Sequence, residues 1–150
     1  MKSEIIRFKG LKKQEIIAEF KGGDITSDAG LLLFREIEKK HKIIKRMSAC
    51  ITDKRESGKV VHNIEEQMLQ RVYAIIAGYE DVKDHQELRK DPLFKMLCGE
   101  TKKDEELSSP STICRFENQV DRKALVGMSK VMVDNFIESY TEVPKEIILD

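Results

Sequence analysis

Three cysteines, three histidines and no net charge leave the chain short of residues on which several function classes depend. Cys50, Cys98 and Cys114 are odd in number and far apart, so no disulfide framework is implied and no pair has metal-ligand spacing. A reducing cytoplasm suits such a chain. No histidine lies within one helical turn of another, which argues against a zinc site and leaves the metal ligands of this chain at none. With 27 basic and 27 acidic residues and a pI near 6.8, the molecule is not the basic body of a non-specific nucleic-acid binder. No apolar run approaches the roughly 18 residues of a membrane span. The opening "MKSEIIRFKG" is too polar for a secretory signal.

What is present suits one domain. The 150 residues are 40% hydrophobic, enough for a core, and 36% charged. The charge is uneven. Arg35 to Lys59 carries nine basic and four acidic residues, and Asp134 to Asp150 carries five acidic and one basic. The basic zone is either a phosphate-contacting face or a solvated helix face.

Alternation of apolar and polar residues predicts two strands, Glu4 to Phe8 and Glu15 to Phe20, joined as a hairpin. Helices should follow. The first is capped by Ser27 or Asp28, with an inward stripe of Leu33, Phe34 and Ile37. A short one covers Ile43 to Ile51. After the turn-rich "TDKRESGKVVHN", a central helix from Ile64 to Ala77 presents Ile64, Met68, Val72 and Ile76 with Leu69 and Tyr73 beside them. Gly78 is placed to end it in a left-handed conformation.

The next stretch, "GYEDVKDHQELRKDP", packs five carboxylates, a histidine and three bases between helix breakers. Asp84 and Glu87 fit a capping box, and Asp91 before Pro92 fits a cap followed by proline at the first helical position. These acids therefore read as scaffold, while Arg71, Arg89 and Lys90 are the natural phosphate partners. "GETKKDEELSS" reads as a mobile loop. "SPSTICRFENQ" then restarts helix, with Ser109 as cap, Ile113 and Phe116 inward, and Ser111, Thr112 and Arg115 outward. Small hydroxyls and arginine near a helix N-terminus suit contacts with base edges and phosphates, although an amphipathic helix needs no such role. The preceding loop is longer than the tight turn of a helix-turn-helix. Lys54 and Arg55 are further candidates for the DNA backbone. A last long helix, Asp121 to Tyr140, carries Leu125, Met128, Met132 and Phe136 as its stripe, and "KEIILD" reads as a buried strand.

Taken together, "ITSDAGLLLFRE", "TDKRE" with His62, "QRVYAIIAGYEDVKDHQELRKDP", "SPSTICRFEN" and "EIILD" resemble the transposases of the insertion-sequence 1380 group, from about Ile16 to Asp150. Lys83 departs from the asparagine that relatives often carry. The resemblance implies a DDE-type enzyme with three acids holding two Mg²⁺ ions on a ribonuclease-H-like fold. It makes residues 1–143 an N-terminal helical domain for DNA binding or assembly, and residues 144–150 the start of the catalytic domain. In similar proteins this first strand continues as L-D-x-D-A-T, and Asp150 matches the first, weaker acid of that pattern. The expected fold class is mainly α with a small N-terminal hairpin. The expected chain is a transposase fragment, inactive alone and without a cofactor of its own. Its expected partners are double-stranded DNA at element ends, full-length transposase or a second copy, with no membrane. A competing expectation is a regulatory interaction module without DNA affinity, inhibiting the full-length enzyme.

Overall fold

The computed structural model describes residues 5–9, 16–19, 28–99, 105–144 and 146–147. These are mostly helical. Two strands, β1 (Ile5–Phe8) and β2 (Ile16–Glu19), pair antiparallel with Phe8 opposite Ile16. That pair anchors the hairpin: Ile16 is buried and Phe8 packs on the same cluster, whereas Ile5, Ile6 and Ile17 are exposed. Seven α-helices follow among the described residues: α1 (Leu31–His41), α2 (Ile43–Ser48), α3 (Ile64–Ile76), α4 (His85–Leu88), α5 (Pro92–Leu97), α6 (Pro110–Gln119) and α7 (Arg122–Glu138).

α3 is the central element. Its Tyr73 and Ala74 enter one core cluster with Leu31, Leu32, Leu88, Phe94 and Leu107. Its Ile64 and Met68 enter a second with Ile44, Ile51, Phe116 and Ala124, and Leu69 touches both. The helix starts in a reciprocal capping box, Asn63 with Glu66, an arrangement worth about 1 kcal/mol. It ends where Gly78 adopts φ +91°, with Gly78 N–H donating to Ile75 O and Tyr79 N–H to Ala74 O. Those two bonds close the last turn as a Schellman motif, which needs the left-handed residue glycine supplies.

Several local expectations are corrected. α1 buries Leu31, Leu32 and Arg35, and the expected stripe of Leu33, Phe34 and Ile37 faces out. Its first turn has no side-chain cap: Asp28 contributes its backbone carbonyl to Leu31, and Ser27 lies outside the described residues. In α7 the buried residues are Ala124 and Val131, with Met128 half-buried, while Leu125, Met132 and Phe136 are exposed. Choosing the most apolar residues displaced the stripe by one position; α7 is apolar on more than one face, so hydropathy alone could not orient it. On α3, Ile76 is exposed and Val72 half-buried, and the polar Gln67 and Gln70 are buried instead. Glu146 and Ile147 are exposed and carry no strand, and the remainder of the expected final strand lies outside the described residues.

Candidate nucleic-acid interface

α6 begins where Ser109 accepts a hydrogen bond from Thr112 N–H and Pro110 occupies the first turn. The Ser109 hydroxyl also lies 3.1 Å from that of Ser111 and 3.0 Å from that of Thr112, so three hydroxyls cluster at the helix N-terminus. Ile113 and Phe116 are buried, which turns Ser111 and Arg115 to solvent and leaves Thr112 half-buried. Arg115 Nε donates to Ser111 O at 3.1 Å, folding the side chain back along the first turn. Among the described residues Arg115 has no acidic partner, and the first turn contains no acid. The exposed Ser111 hydroxyl, the half-buried hydroxyls of Ser109 and Thr112, an unneutralised guanidinium and the positive end of a helix dipole thus share one end of α6.

The stretch from Gly78 to Pro92 holds this helix in place. Arg71 on α3 donates to the Glu117 carboxylate on α6 and to the carbonyls of Tyr79 and Glu80, at 3.4 and 2.9 Å. α6 also packs on the 3-10 turn Val82–Asp84. Gln70 pairs with the backbone entering α6: its Oε1 accepts from Ser108 N–H and its Nε2 donates to Ser108 O, both at 3.0 Å. The same Nε2 lies 3.0 Å from Nδ1 of the fully buried His85. Since an amide nitrogen only donates, Nδ1 accepts and the ring is neutral with its proton on Nε2. Burial, then the nearby Arg71, push the His85 pKa down against the opposing pull of Glu117 and Asp84. Arg89 completes the set, with its carbonyl accepting from Leu107 N–H at 2.9 Å and its Nη2 2.6 Å from Glu106. The end of the expected mobile loop is therefore fixed: Leu107 and Ser108 are buried.

The acids of the stretch are accounted for in part as expected. Asp91 accepts from Leu93 and Phe94 N–H ahead of Pro92. The Asp84–Glu87 capping box is not formed; Asp84 has a helical backbone and no capping bond, and Asp81 caps the turn one step earlier by accepting from Lys83 N–H. The sequence reading missed Gln70 and His85 as a pair. Their signal was a glutamine inside the most apolar helix, since a buried amide demands partners.

The family model described as Transposase DDE domain group 1 matches residues 8–150. The chain belongs to the transposase DDE domain group 1 family. No curated protein matches it, and no solved structure does.

Membership of a transposase family ties the chain to DNA, and the remaining candidate residues are placed as follows. Lys54 is exposed, with no partner among the described residues. Arg55 grips Asp53 through two bonds of 2.8 and 2.6 Å, and its guanidinium holds the Asp53 carboxyl below the usual range. Lys90 is exposed and 3.9 Å from Glu87. The described structure brings Arg71, Arg89 and α6 into one network and leaves Lys54 and Arg55 on the separate loop after α2. Asp150 lies outside the described residues. Among the described residues no group of three or more histidine, cysteine, aspartate or glutamate side chains converges so as to hold a metal. No described helix is long and apolar enough to cross a membrane.

Proposed function

We propose that this DDE-family chain serves transposition as the N-terminal portion of an insertion-sequence transposase of the 1380 group, and that it engages DNA at the element ends through α6. The observation that carries the reading is the end of α6, where Ser111, Thr112 and Arg115 stand together on a helix fixed to α3 by Arg71 and Gln70. Rigid presentation favours recognition, because a contact residue already held in place loses less entropy on binding. Arg71 and Arg89 are engaged in holding the helix; Ser111, Thr112 and Arg115 carry the proposed base and phosphate contacts, with Lys54, Arg55 and Lys90 as backbone contacts. Residues 144–150, including Asp150, belong in this reading to the start of a ribonuclease-H-like catalytic domain, whose Mg²⁺ chemistry lies outside the described structure. A mobility-shift titration of the chain on a terminal-repeat duplex tests the proposal. Preference over a scrambled duplex supports it, and equal or absent binding contradicts it.

A second reading, assembly with full-length transposase or another copy, is favoured by α7. Leu125, Val126, Met132, Val133, Phe136 and Ile137 are all exposed on it. Contiguous apolar surface of this kind marks interaction sites. Co-purification with tagged full-length enzyme, lost on Val133→Glu, distinguishes this reading from DNA binding alone.

A further inference from the structure

Arg35 is a charged residue buried on the inner face of α1. It is 5% exposed, yet its buried Nη1 has no hydrogen-bond partner. Among the described residues it pairs with Glu36 at 3.9 Å, beyond hydrogen-bond distance, and that carboxylate oxygen is already bonded by Lys39 at 2.7 Å. A buried donor left without an acceptor is unfavourable, because it has given up hydration at that atom.

Arg35 lines an open cleft of about 320 Å³ between α1, α3 and α5. Tyr73 lines the same cleft, is 1% exposed, and its hydroxyl also lacks a partner. Burial pushes the Tyr73 pKa far up, so the hydroxyl keeps its proton and remains a donor. Lys39, Lys42 and Lys45 stand around the cleft with two acids, Glu38 and Glu65. Glu38 is occupied: its two oxygens accept from Ile44 and Lys45 N–H, at 2.9 and 3.0 Å, capping α2 from the preceding helix. The cleft therefore offers two buried donors without acceptors and, among the described residues, an excess of cations at its wall.

We propose that this cleft binds a phosphate group, with Arg35 and Tyr73 as its buried donors and Lys42 and Lys45 at its rim. Planar guanidinium forks match phosphate oxygens, and lysines add charge without demanding geometry. The phosphate is either that of a DNA backbone or a free phosphate or nucleotide. The site stands independently of α6, since none of these residues belongs to the network that seats that helix.

The test uses the full chain at fixed ionic strength, with sodium phosphate replacing sodium chloride, and follows melting temperature and calorimetric binding. Inorganic phosphate is expected to raise the melting temperature where chloride does not. Lys42→Asn combined with Lys45→Gln should weaken phosphate at least tenfold and leave melting in chloride unchanged; asparagine is chosen because Lys42 has φ +54°, which asparagine tolerates. Arg35→Met should abolish the phosphate effect and melt in chloride no lower than the parent, because it removes a buried donor that has no hydrogen-bond partner. A short duplex then assigns the source. Duplex binding weakened by the double lysine variant identifies the DNA backbone, and duplex binding unchanged beside impaired phosphate binding identifies a free phosphate. Absence of any phosphate effect on the parent overturns the proposal, as does a phosphate effect retained in both variants. Loss of sequence preference in α6 variants bears on the DNA reading alone.

Discussion

Gln70 is the residue on which the candidate interface depends most. Truncating it to alanine strands a buried backbone N–H, a buried carbonyl and His85 Nδ1 together. Each buried group left unpaired costs about 1–3 kcal/mol, so Gln70→Ala should lower stability by about 3 kcal/mol or more in denaturant titration. A change under about 0.5 kcal/mol would show that Ser108 is held by other means. His85 adds a pH dependence of known sign. Burial holds its folded pKa below the ordinary histidine value of about 6.5, so the unfolded chain binds the proton more readily. The stabilisation is complete above about pH 6.5, declines as pH falls through the interval down to the folded pKa, and is gone below it. Melting temperature measured from pH 7.5 to 5.5 should fall more steeply in the parent than in His85→Gln; parallel curves contradict the assignment. Legibility at this scale was mixed for a physical reason. The caps at Asp91, Ser109 and Gly78 are local motifs whose partners lie within a few residues, and sequence displays them. The Gln70–Ser108 bonds span 38 positions, and nothing local announces them.

At the scale of elements, periodicity located helices well and oriented them less well. The central α3 and its end at Gly78 were readable because one wide apolar surface coincides with clear stop chemistry. α7 was readable as a helix but not as to its face, because Val126, Met132, Val133 and Ile137 make several directions apolar. The packing supplies the missing information: α7 meets α2, with Gly127 against Cys50. A Cβ at Gly127 would lie 2.9 Å from Cys50 Sγ, so glycine is needed there for close approach. Gly127→Val should destabilise by about 1–3 kcal/mol through overpacking, and adding Cys50→Ala should recover part of the loss. Additive effects of the two substitutions would contradict that contact. The orientation itself is checked by a pair of neighbours. Val131→Asp buries a charge and should cost about 3 kcal/mol or more, whereas Met132→Asp should stay within about 0.5 kcal/mol, both read from chemical denaturation. The reverse order would restore the stripe expected from sequence.

For the whole molecule, family membership was legible because several motif blocks occur in order along the chain, and the family match covers residues 8–150. The proposed interface was legible only as a helix with suitable residues. Which arginines are engaged internally depended on tertiary pairing, as Arg71 with Glu117 illustrates. With equal numbers of acids and bases, the proposed DNA affinity would come from local surfaces and should decrease steeply with salt as counterions are released. In the proposed reading α6 distinguishes the element end from other DNA. Its most direct test is the ratio of affinities for a terminal-repeat duplex and a random duplex, measured by fluorescence anisotropy for the parent and for Arg115→Ala at one salt concentration. The account predicts that Arg115→Ala reduces this ratio about tenfold, in line with the loss of about 1–3 kcal/mol of discrimination for one base-contacting arginine. A ratio unchanged by the substitution in a chain that melts like the parent would contradict it.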